Sequence, residues 1–437
     1  MTETSRRPTS LSAQIIIGLA AGAVVGALVN LAGQAQPAVH AWLTEGLFHV
    51  VGQLFIAALM MLVVPLVFLS LVTGTSKLSD PKRLGRLGLR TLALYLATTA
   101  IAVTFALSLA LLFDPGKGAD LPLAEYTPRA APSLMEVLIG LVPRNPVQAM
   151  ADGNMLQIIV FSILVGLALV LAGETGRRVS AQFEDWNEIV MKLVGIVMKL
   201  APYGVFALIA KLAAETGLAS FKPLLAYFLL VLSALLLHAF VTYPLLLKAL
   251  SGLNPLIFLR KMRTPQLFAF STASSNATIP VTLRTVERNI GVHNSVASFT
   301  VPLGATINMD GTAIMQGVAV VFLAQVYGMD LNLAQILMVV LMATLASVGT
   351  AGVPGVGMIM LGMVLVQVGL PPEAIGFIIG IDRLLDMVRT AVNITGDAMV
   401  TTVVAKWEGE LDELAYEDPD AGMSDDEGAP SESPTST

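Results

Sequence analysis

The sequence contains no cysteine, only four histidines, and few charged residues, which make up 13% of its 437 positions. The absence of cysteine excludes disulfide bonds, thiolate metal sites and cysteine nucleophiles. The histidines His40, His49, His238 and His293 are scattered and lack the spacing of a metal site. An enzyme acting inside a membrane needs a nucleophile with a base, or a metal centre. The sequence offers neither, so we do not expect an enzyme.

Hydrophobic residues, by contrast, make up 55% of the chain, and the mean hydropathy is +0.77. Because soluble domains carry about 25% charged residues, this composition predicts a polytopic protein whose main partner is a lipid bilayer. We expect no nucleic-acid partner. The apolar run 11–31 is long enough to span and no convincing cleavage site ends it, so it is interpreted as a membrane helix.

Charge is unevenly distributed along the chain. From Glu408 onward there are eleven acidic residues and no basic one, whereas the rest of the chain has 20 acidic and 25 basic residues. This last part is also rich in serine, proline and glycine. We therefore expect residues 409–437 to form a disordered acidic tail, either simply solvated or regulatory.

Six apolar segments within 11–250 are predicted to cross the membrane. Basic residues follow the second segment, at Lys77, Lys82, Arg83, Arg86 and Arg90, whereas the loop after the first segment has none. The positive-inside rule then places residues 1–10 and both termini in the cytoplasm of a multi-pass inner-membrane protein. The segments are 11–33, 46–74, 87–113, 154–173, 190–215 and 224–250.

The region 251–408 has a different pattern, because its apolar stretches are broken at their centres. The breaks are 271–280 (STASSNATIP), 308–312 (NMDGT) and 347–357 (SVGTAGVPGVG). Basic residues flank the first break on both sides, so that segment must enter from the cytoplasm and return. Irregular backbone at membrane depth survives only inside protein or beside a cavity. Two re-entrant hairpins and a broken helix are typical of a secondary transporter, and an inverted repeat predicts that the second hairpin enters from outside.

Five polar residues recur at helical spacing in the last apolar segment. Their steps of 4, 3, 4 and 4 place them within an arc of roughly 80° on one helix face. Because a charge at membrane depth costs about 2.5–3.5 kcal/mol, this stripe must face partners, water or a ligand. It indicates an ion and substrate site, or an internal network that only holds helices together. The residues are Asp382, Asp386, Arg389, Asn393 and Asp397.

Other segments offer oxygen ligands and anion-binding groups. Asn308 and Asp310 lie at the break of a helix, where unwinding is expected to free carbonyls such as that of Gly304. Such hard ligands suit Na⁺, although the break could also be a plain kink with a buried counter-ion. Tyr95, Thr98 and Thr99 share one helix face and could complete a cation site.

The tips of both hairpins have functional interpretations as well. The sequence Ser274-Ser275-Asn276 begins a half-helix, whose free N–H groups attract a carboxylate. The planar fork of Arg389 suits a carboxylate and Asp386 an ammonium, or the two simply neutralise each other. The glycines of 349–357 suit a gate or, alternatively, a rigid turn that needs positive φ.

The motifs SSNATIP, GATINMDGT, ASVGTAGVPG and DMVRTAVNITGD resemble, in order and spacing, the glutamate transporter family, the dicarboxylate/amino acid:cation symporters. The resemblance covers the chain up to about Trp407. It implies an all-α membrane fold of eight transmembrane helices and two re-entrant hairpins. Helices 1, 2, 4 and 5 would form the scaffold of a homotrimer. Helices 3, 6, 7 and 8 with both hairpins would move as an elevator.

The resemblance also implies the roles of individual residues. The function implied is Na⁺-coupled symport of aspartate or glutamate. Substrate would contact Ser274, Ser275, Thr312, Gly352, Asp386, Arg389, Thr390 and Asn393. Co-transported Na⁺ would bind in three sets: Gly304, Asn308, Asn393 and Asp397; carbonyls of Thr306, Ser347, Val348 and Thr350; and Tyr95, Thr98, Thr99, Asn308 and Asp310.

Departures from the family's patterns leave alternatives open. Archaeal relatives carry an arginine where this chain has Ala273, and here Arg383 could supply that charge. C4-dicarboxylate carriers lack the aspartate matching Asp386 and have asparagine at Asp397, so both aspartates favour an amino acid and Na⁺. The alternatives are an H⁺-coupled glutamate/C4-dicarboxylate symporter and an anion channel. Aspartate against glutamate preference and ion stoichiometry stay open.

Overall fold

The computed structural model describes residues 11–33, 36–76, 87–119, 142–217, 221–350, 352–418 and 421. The described residues leave out residues 1–10, the part of the predicted basic loop at 77–86 and most of the predicted tail. Within them the chain is almost entirely helical, and the only β-bridge recorded joins Val292 to Leu411. The all-α prediction is confirmed in these regions.

The first half of the chain forms helices over the predicted apolar segments, except that the segment predicted at 190–215 is divided between two helices bent by 46°. They are α1 (Leu11–Gly33), α2 (Pro37–Ala41), α3 (His49–Ser76), α4 (Leu89–Phe113), α5 (Pro146–Ala151), α6 (Met155–Leu171), α7 (Gly173–Met198), α8 (Ala201–Thr216), α9 (Phe221–Leu237) and α10 (Tyr243–Ser251). Short π-helical segments, Trp42–Phe48 and His238–Thr242, join α2 to α3 and α9 to α10. Proline in the first turn starts α2, α5, α8 and α10, where its missing N–H costs nothing.

The second half contains the broken elements. They are α11 (Pro255–Lys261), α12 (Arg263–Thr272), α13 (Ser275–Arg284), α14 (Asn294–Ile307), α15 (Asp310–Val326), α16 (Leu333–Gly349), α17 (Val356–Gln367), α18 (Ile375–Glu408) and α19 (Glu413–Glu417). The three predicted breaks are confirmed between α12 and α13, α14 and α15, and α16 and α17. We call the pair α12–α13 hairpin 1 and the pair α16–α17 hairpin 2.

Local sequence fixes these breaks. At the tip of hairpin 1, Ala273 has a left-handed φ of 50°, and the Ser274 side chain caps α13 by accepting the Ala277 N–H. Between α14 and α15, Asn308 is extended with φ −97° and ψ 94°. At the tip of hairpin 2, Gly355 has φ 84°, a value that strains any residue with a Cβ.

Within the described part of the chain, five helices are long and apolar enough to cross a membrane, or six if the bent pair α7 and α8 is one span. Shorter apolar helices lie at residues 157–171, 333–348 and 356–367. This is an integral membrane protein with several spans.

The helices pack into two groups. In the first, α1 lies along α8, and α3 contacts α6, α7 and α8. In the second, α18 is surrounded by α9, α12, α14 and α15, and α4 lies along α15. Hairpin 2 contacts both groups because α16 and α17 reach α3. A cavity of about 440 Å³ separates hairpin 1 from Ser70 and Thr73 of α3 and Asn187 of α7.

The C-terminal segment differs from the prediction. We expected disorder from residue 409, but α19 forms at Glu413–Glu417 and Tyr416 is fully buried. The acidic composition concealed one buried aromatic side chain and a helix cap, since the Asp412 side chain accepts the Leu414 and Ala415 N–H groups. Most of the remaining tail lies outside the described residues.

Candidate functional site

The polar stripe on α18 faces inward, as its spacing predicted. Asp382, Asp386, Arg389, Asn393 and Asp397 are each at most 8% exposed. A helix of 34 residues presents all five to α14, α15 and the hairpins, because positions three or four apart share one face. The stripe therefore forms the buried axis of the site.

Arg389 is the centre of an ion-paired cluster in the middle of α18. Its Nη1 and Nη2 donate to Oδ1 and Oδ2 of Asp382 over 2.6 and 3.1 Å, and Nη2 also donates to Asp386 Oδ1 over 2.7 Å. Arg383 Nη1 binds the other oxygen of Asp386 over 3.1 Å. Arg389 Nε is buried and has no hydrogen-bond partner. The cluster holds two carboxylates and two guanidinium groups, so its charges balance.

The sequence interpretation missed the part played by Asp382. It was placed on the stripe but not assigned to the site, although it forms the two-pronged pair with Arg389. Their separation of seven positions, two helical turns, was the available signal, but a long arginine side chain was needed to bridge it. Arg383, the residue suggested to supply the charge absent at Ala273, pairs with Asp386; its replacement of that charge stays a prediction.

The tips of both hairpins meet beside this cluster. The Gly352 carbonyl of hairpin 2 accepts hydrogen bonds from Ser274 Oγ (2.8 Å) and from the Asn276 N–H (3.1 Å) of hairpin 1. The Gly355 N–H donates to Asp386 Oδ2 over 3.1 Å. Ser275 is 3% exposed and lies against Gly352. Hairpin 2 therefore contacts the charged cluster through a backbone N–H, and hairpin 1 contacts hairpin 2 through hydroxyl and backbone groups.

Thr312 and Thr390 complete the residues expected to contact substrate. Thr312, near the start of α15, is buried, and its methyl group lies against Gly357 of hairpin 2. Thr390 is buried on α18, and its Oγ1 donates to the Asp386 carbonyl over 2.8 Å. Its hydroxyl is thus engaged by its own helix.

A second polar cluster lies around Asp310 at the start of α15. Thr99 Oγ1 donates to Asp310 Oδ1 over 2.5 Å, and Tyr243 OH donates to Oδ2 over 2.8 Å. Thr98 Oγ1 donates to Asn308 Oδ1 over 3.4 Å. These side chains are at most 2% exposed. Four of the five predicted cation residues are therefore brought together with one tyrosine that the sequence did not identify.

Tyr95, on the same face of α4, takes a different partner. Its hydroxyl donates to the Thr300 carbonyl over 2.9 Å, at the edge of the Asp310 cluster. His238 is fully buried, with its ring 4.4 Å from that of Tyr243 and Nε2 3.6 Å from Asp310 Oδ2. No sequence periodicity in the segment joining α9 to α10 marks His238 or Tyr243, because they reach Asp310 only through the packing of distant segments.

Asp397 and Asn308 form a third cluster. Asn308 Nδ2 donates to Asp397 Oδ1 over 3.0 Å, and Asn393 Oδ1 accepts the Gly311 N–H over 2.7 Å. At Gly304 a Cβ would lie 2.6 Å from both Asp397 Oδ1 and Tyr95 OH, so this close approach requires glycine. The Gly304 carbonyl still accepts the Asn308 N–H over 2.7 Å. The expectation that unwinding frees it was wrong, although one lone pair remains.

The residues of the second expected Na⁺ set lie at the end of α16 and of α14. Ser347 Oγ donates to the Ile307 carbonyl over 3.0 Å, which ties hairpin 2 to the break after α14. The Ser347 carbonyl accepts the Thr350 N–H over 3.3 Å. Thr306 and Val348 are half-buried, and Thr306 bonds its own helix. These residues lie near one another, but no contact among the described residues brings their carbonyl oxygens together around a single position.

These broken helices, paired hairpins and buried charged clusters define an integral membrane transporter rather than an enzyme. The chain belongs to the sodium:dicarboxylate symporter family, whose model matches residues 11–407. It is 38% identical to the proton/glutamate-aspartate symporter of Escherichia coli K12, over 93% of this chain and 96% of that one. It is 36% identical to the proton/sodium-glutamate symport protein of Bacillus subtilis strain 168, over 91% and 93%. It is also 32% identical to the C4-dicarboxylate transport protein of that strain, over 92% and 95%.

Proposed function

We propose that this protein carries aspartate, glutamate or both across the cell membrane together with Na⁺. The observation that carries the proposal is the α18 stripe. One rigid helix bears the charged cluster at Asp386 and Arg389 beside both hairpin tips and, two turns later, the polar cluster at Asn393 and Asp397. A substrate and a cation bound to the same helix can influence each other directly.

The charges of the Arg389 cluster fit an acidic amino acid. A substrate side-chain carboxylate would compete with Asp382 and Asp386 for the guanidinium, where Nε has a free N–H. Asp386, released from Arg389, would accept the substrate ammonium, and the Ser274–Ser275 tip would bind the other carboxylate. A C4-dicarboxylate has no ammonium and would leave Asp386 without that partner.

The oxygen clusters around Asp310 and Asp397 suit Na⁺ as the co-transported ion. Their ligands are carboxylate, amide, hydroxyl and carbonyl oxygens, and they adjoin the break between α14 and α15. Such hard donors favour an alkali cation over a transition metal. The carboxylate of Asp310 is fully buried, so its negative charge would attract this cation.

The two packing groups support an elevator. The group of α1, α3, α6, α7 and α8 would be the scaffold of a homotrimer, and the group around α18 with both hairpins would move. In eight-span terms, α7–α8, α9–α10 and α14–α15 each count as one helix. The cavity between hairpin 1 and α3 would give the site access to the cytoplasm, and hairpin 2 would be the gate.

Proton coupling is the second candidate, because the E. coli relative is named a proton/glutamate-aspartate symporter. Uptake of radiolabelled aspartate into proteoliposomes separates the two. We expect an inward Na⁺ gradient to drive accumulation, with competition by glutamate and little by succinate. Equal accumulation driven by a proton gradient without Na⁺ would establish the second candidate. Anion flux without aspartate uptake would instead establish an anion channel.

A further inference from the structure

The chain beyond α18 turns back and lies against the segments that precede and follow hairpin 1. After Gly409, with φ 73°, residues 410–412 run antiparallel to residues 291–293. The His293 N–H donates to the Glu410 carbonyl over 2.9 Å, and the Asp412 N–H donates to the Gly291 carbonyl over 2.8 Å. We call residues 410–418 the C-terminal strap. Five of them are acidic, yet the strap is held mainly by backbone groups, which composition does not reveal.

Lys261 links the strap to the segments on either side of hairpin 1. It is 2% exposed, and Nζ donates to the carbonyls of Asn289 (2.6 Å), Ala415 (2.7 Å) and Tyr416 (2.9 Å). Lys261 ends α11, two residues before α12 begins, and Asn289 lies five residues after the end of α13, so one ammonium joins the segment entering the hairpin, the segment leaving it and the strap. All three ammonium protons are used.

Tyr416 is the matching anchor on the strap. It is fully buried, its hydroxyl donates to the Asn254 carbonyl over 2.8 Å, and Lys261 Nζ lies 5.6 Å from the ring centroid. Burial lowers the pKa of Lys261, although the nearby negative charge of Asp418 acts in the opposite direction. Burial raises the pKa of Tyr416. The segment before hairpin 1 is therefore held at Asn254 and at Lys261.

The last turn of α18, directly before the strap, contacts neighbouring helices of the same packing group. Trp407 Nε1 donates to the Leu250 carbonyl at the end of α10 over 2.8 Å, and Glu408 pairs with Arg90 of α4 over 2.6 Å. Glu413 pairs with Lys406 of α18. The partners named here all belong to the group that packs around α18.

We propose that the C-terminal strap holds hairpin 1 so that its Ser274–Ser275 tip stays in the substrate-binding position, with Lys261 as the positioning residue. The idea rests on the proposed function, since it assumes that this tip binds substrate. Neither Lys261 nor Tyr416 touches the Arg389 cluster through any contact given above. Their loss therefore acts on substrate affinity through the population of the correctly placed tip.

The test compares variants in proteoliposomes at equal amounts of folded protein. Stopping the chain after Gly409 removes the strap, and stopping it after Ala421 keeps the strap and serves as the matched control. Lys261→Met removes the ammonium but keeps the length of the side chain. Lys117→Met, at an exposed lysine of the α4 end, is its control. If the competent fraction falls to about a tenth, the KM for aspartate rises about tenfold while Vmax changes little.

A covalent lock provides a rescue that distinguishes positioning from a general loss of folding. Because Val292 and Leu411 face each other across an antiparallel bridge and the chain has no cysteine, Val292→Cys with Leu411→Cys can form a single disulfide. Oxidation should restore the KM of Lys261→Met towards the wild-type value, and reduction should raise it again.

Some outcomes would overturn the proposal. Wild-type KM in both Lys261→Met and the chain stopped after Gly409 would do so, as would a fall in Vmax alone. If Lys261→Met does not fold, Tyr416→Phe, which removes only the bond to Asn254, must still raise KM for the proposal to stand. Failure of the wild-type protein to take up aspartate would refute the proposed function instead, so the two failures are distinguishable.

Discussion

Replacement of Arg389 by methionine should affect folding and substrate binding by separable amounts. Arg389 is 1% exposed, and its guanidinium is the cation that pairs with Asp382 and one of the two cations that face Asp386. Breaking a buried ion pair costs about 3–5 kcal/mol because a charge remains unpaired. Since Arg383 still faces Asp386, mainly Asp382 is left alone. We therefore expect a loss near 3 kcal/mol in the free energy of unfolding.

The binding effect comes from the missing fork. Truncating one partner of a buried charged pair costs about 2–5 kcal/mol in affinity, which corresponds to about 30-fold to 4000-fold weaker aspartate binding. A second change, Asp382→Asn, removes the unpaired charge. It should restore most of the stability of Arg389→Met but none of its aspartate affinity.

Thermal unfolding and calorimetric titration with aspartate in Na⁺ buffer measure the two quantities. Arg389→Lys keeps the charge and loses the planar fork, so it should lie between wild type and Arg389→Met in affinity. An aspartate Kd within threefold of wild type in folded Arg389→Met would refute the role given to this guanidinium. Recovery of affinity in the double variant would refute the separation of the two effects.

Three further outcomes are expected. Asp310→Asn should raise the Na⁺ concentration for half-maximal aspartate binding by about tenfold or more, and Tyr243→Phe, which removes one bond to that carboxylate, should raise it less; an unchanged Na⁺ titration in both would contradict the Asp310 site. Asp397→Asn should likewise weaken the dependence of aspartate binding on Na⁺, while Asn308 keeps a hydrogen-bond partner. The same Na⁺ titration checks this, and wild-type aspartate affinity at low Na⁺ would contradict it. Val353→Cys at the tip of hairpin 2 should react with a water-soluble maleimide in the absence of ligands and slow only when Na⁺ and aspartate are both present, because closure and binding are linked; Leu414→Cys, 82% exposed on α19, is the control, and protection by aspartate alone would contradict a coupled gate.

The sequence predicted those features that depend on local spacing. The stripe of α18 follows from steps of three and four residues, and its burial follows from the cost of charge in lipid. The break before Asp310 and the two hairpin tips follow from polar and glycine-rich stretches inside apolar segments. In each case one segment contains the whole signal.

Contacts between distant segments were not predictable in the same way. Tyr243 and His238 reach Asp310 from about 70 positions away, and neither stands out in an apolar helix. The bond from Asn308 to the Gly304 carbonyl shows that a helix can keep its last hydrogen bond up to the break itself. The strap was concealed by its acidic composition, because backbone carbonyls rather than side chains hold Lys261.

Aspartate affinity measured at different Na⁺ concentrations tests the central claim most directly. If the cation clusters and the Arg389 cluster act through one helix, binding of Na⁺ and of aspartate must strengthen each other reciprocally. We expect the aspartate Kd to fall steeply as Na⁺ replaces choline at constant ionic strength and constant pH. The same Kd in choline and in Na⁺ would contradict Na⁺ coupling by this protein.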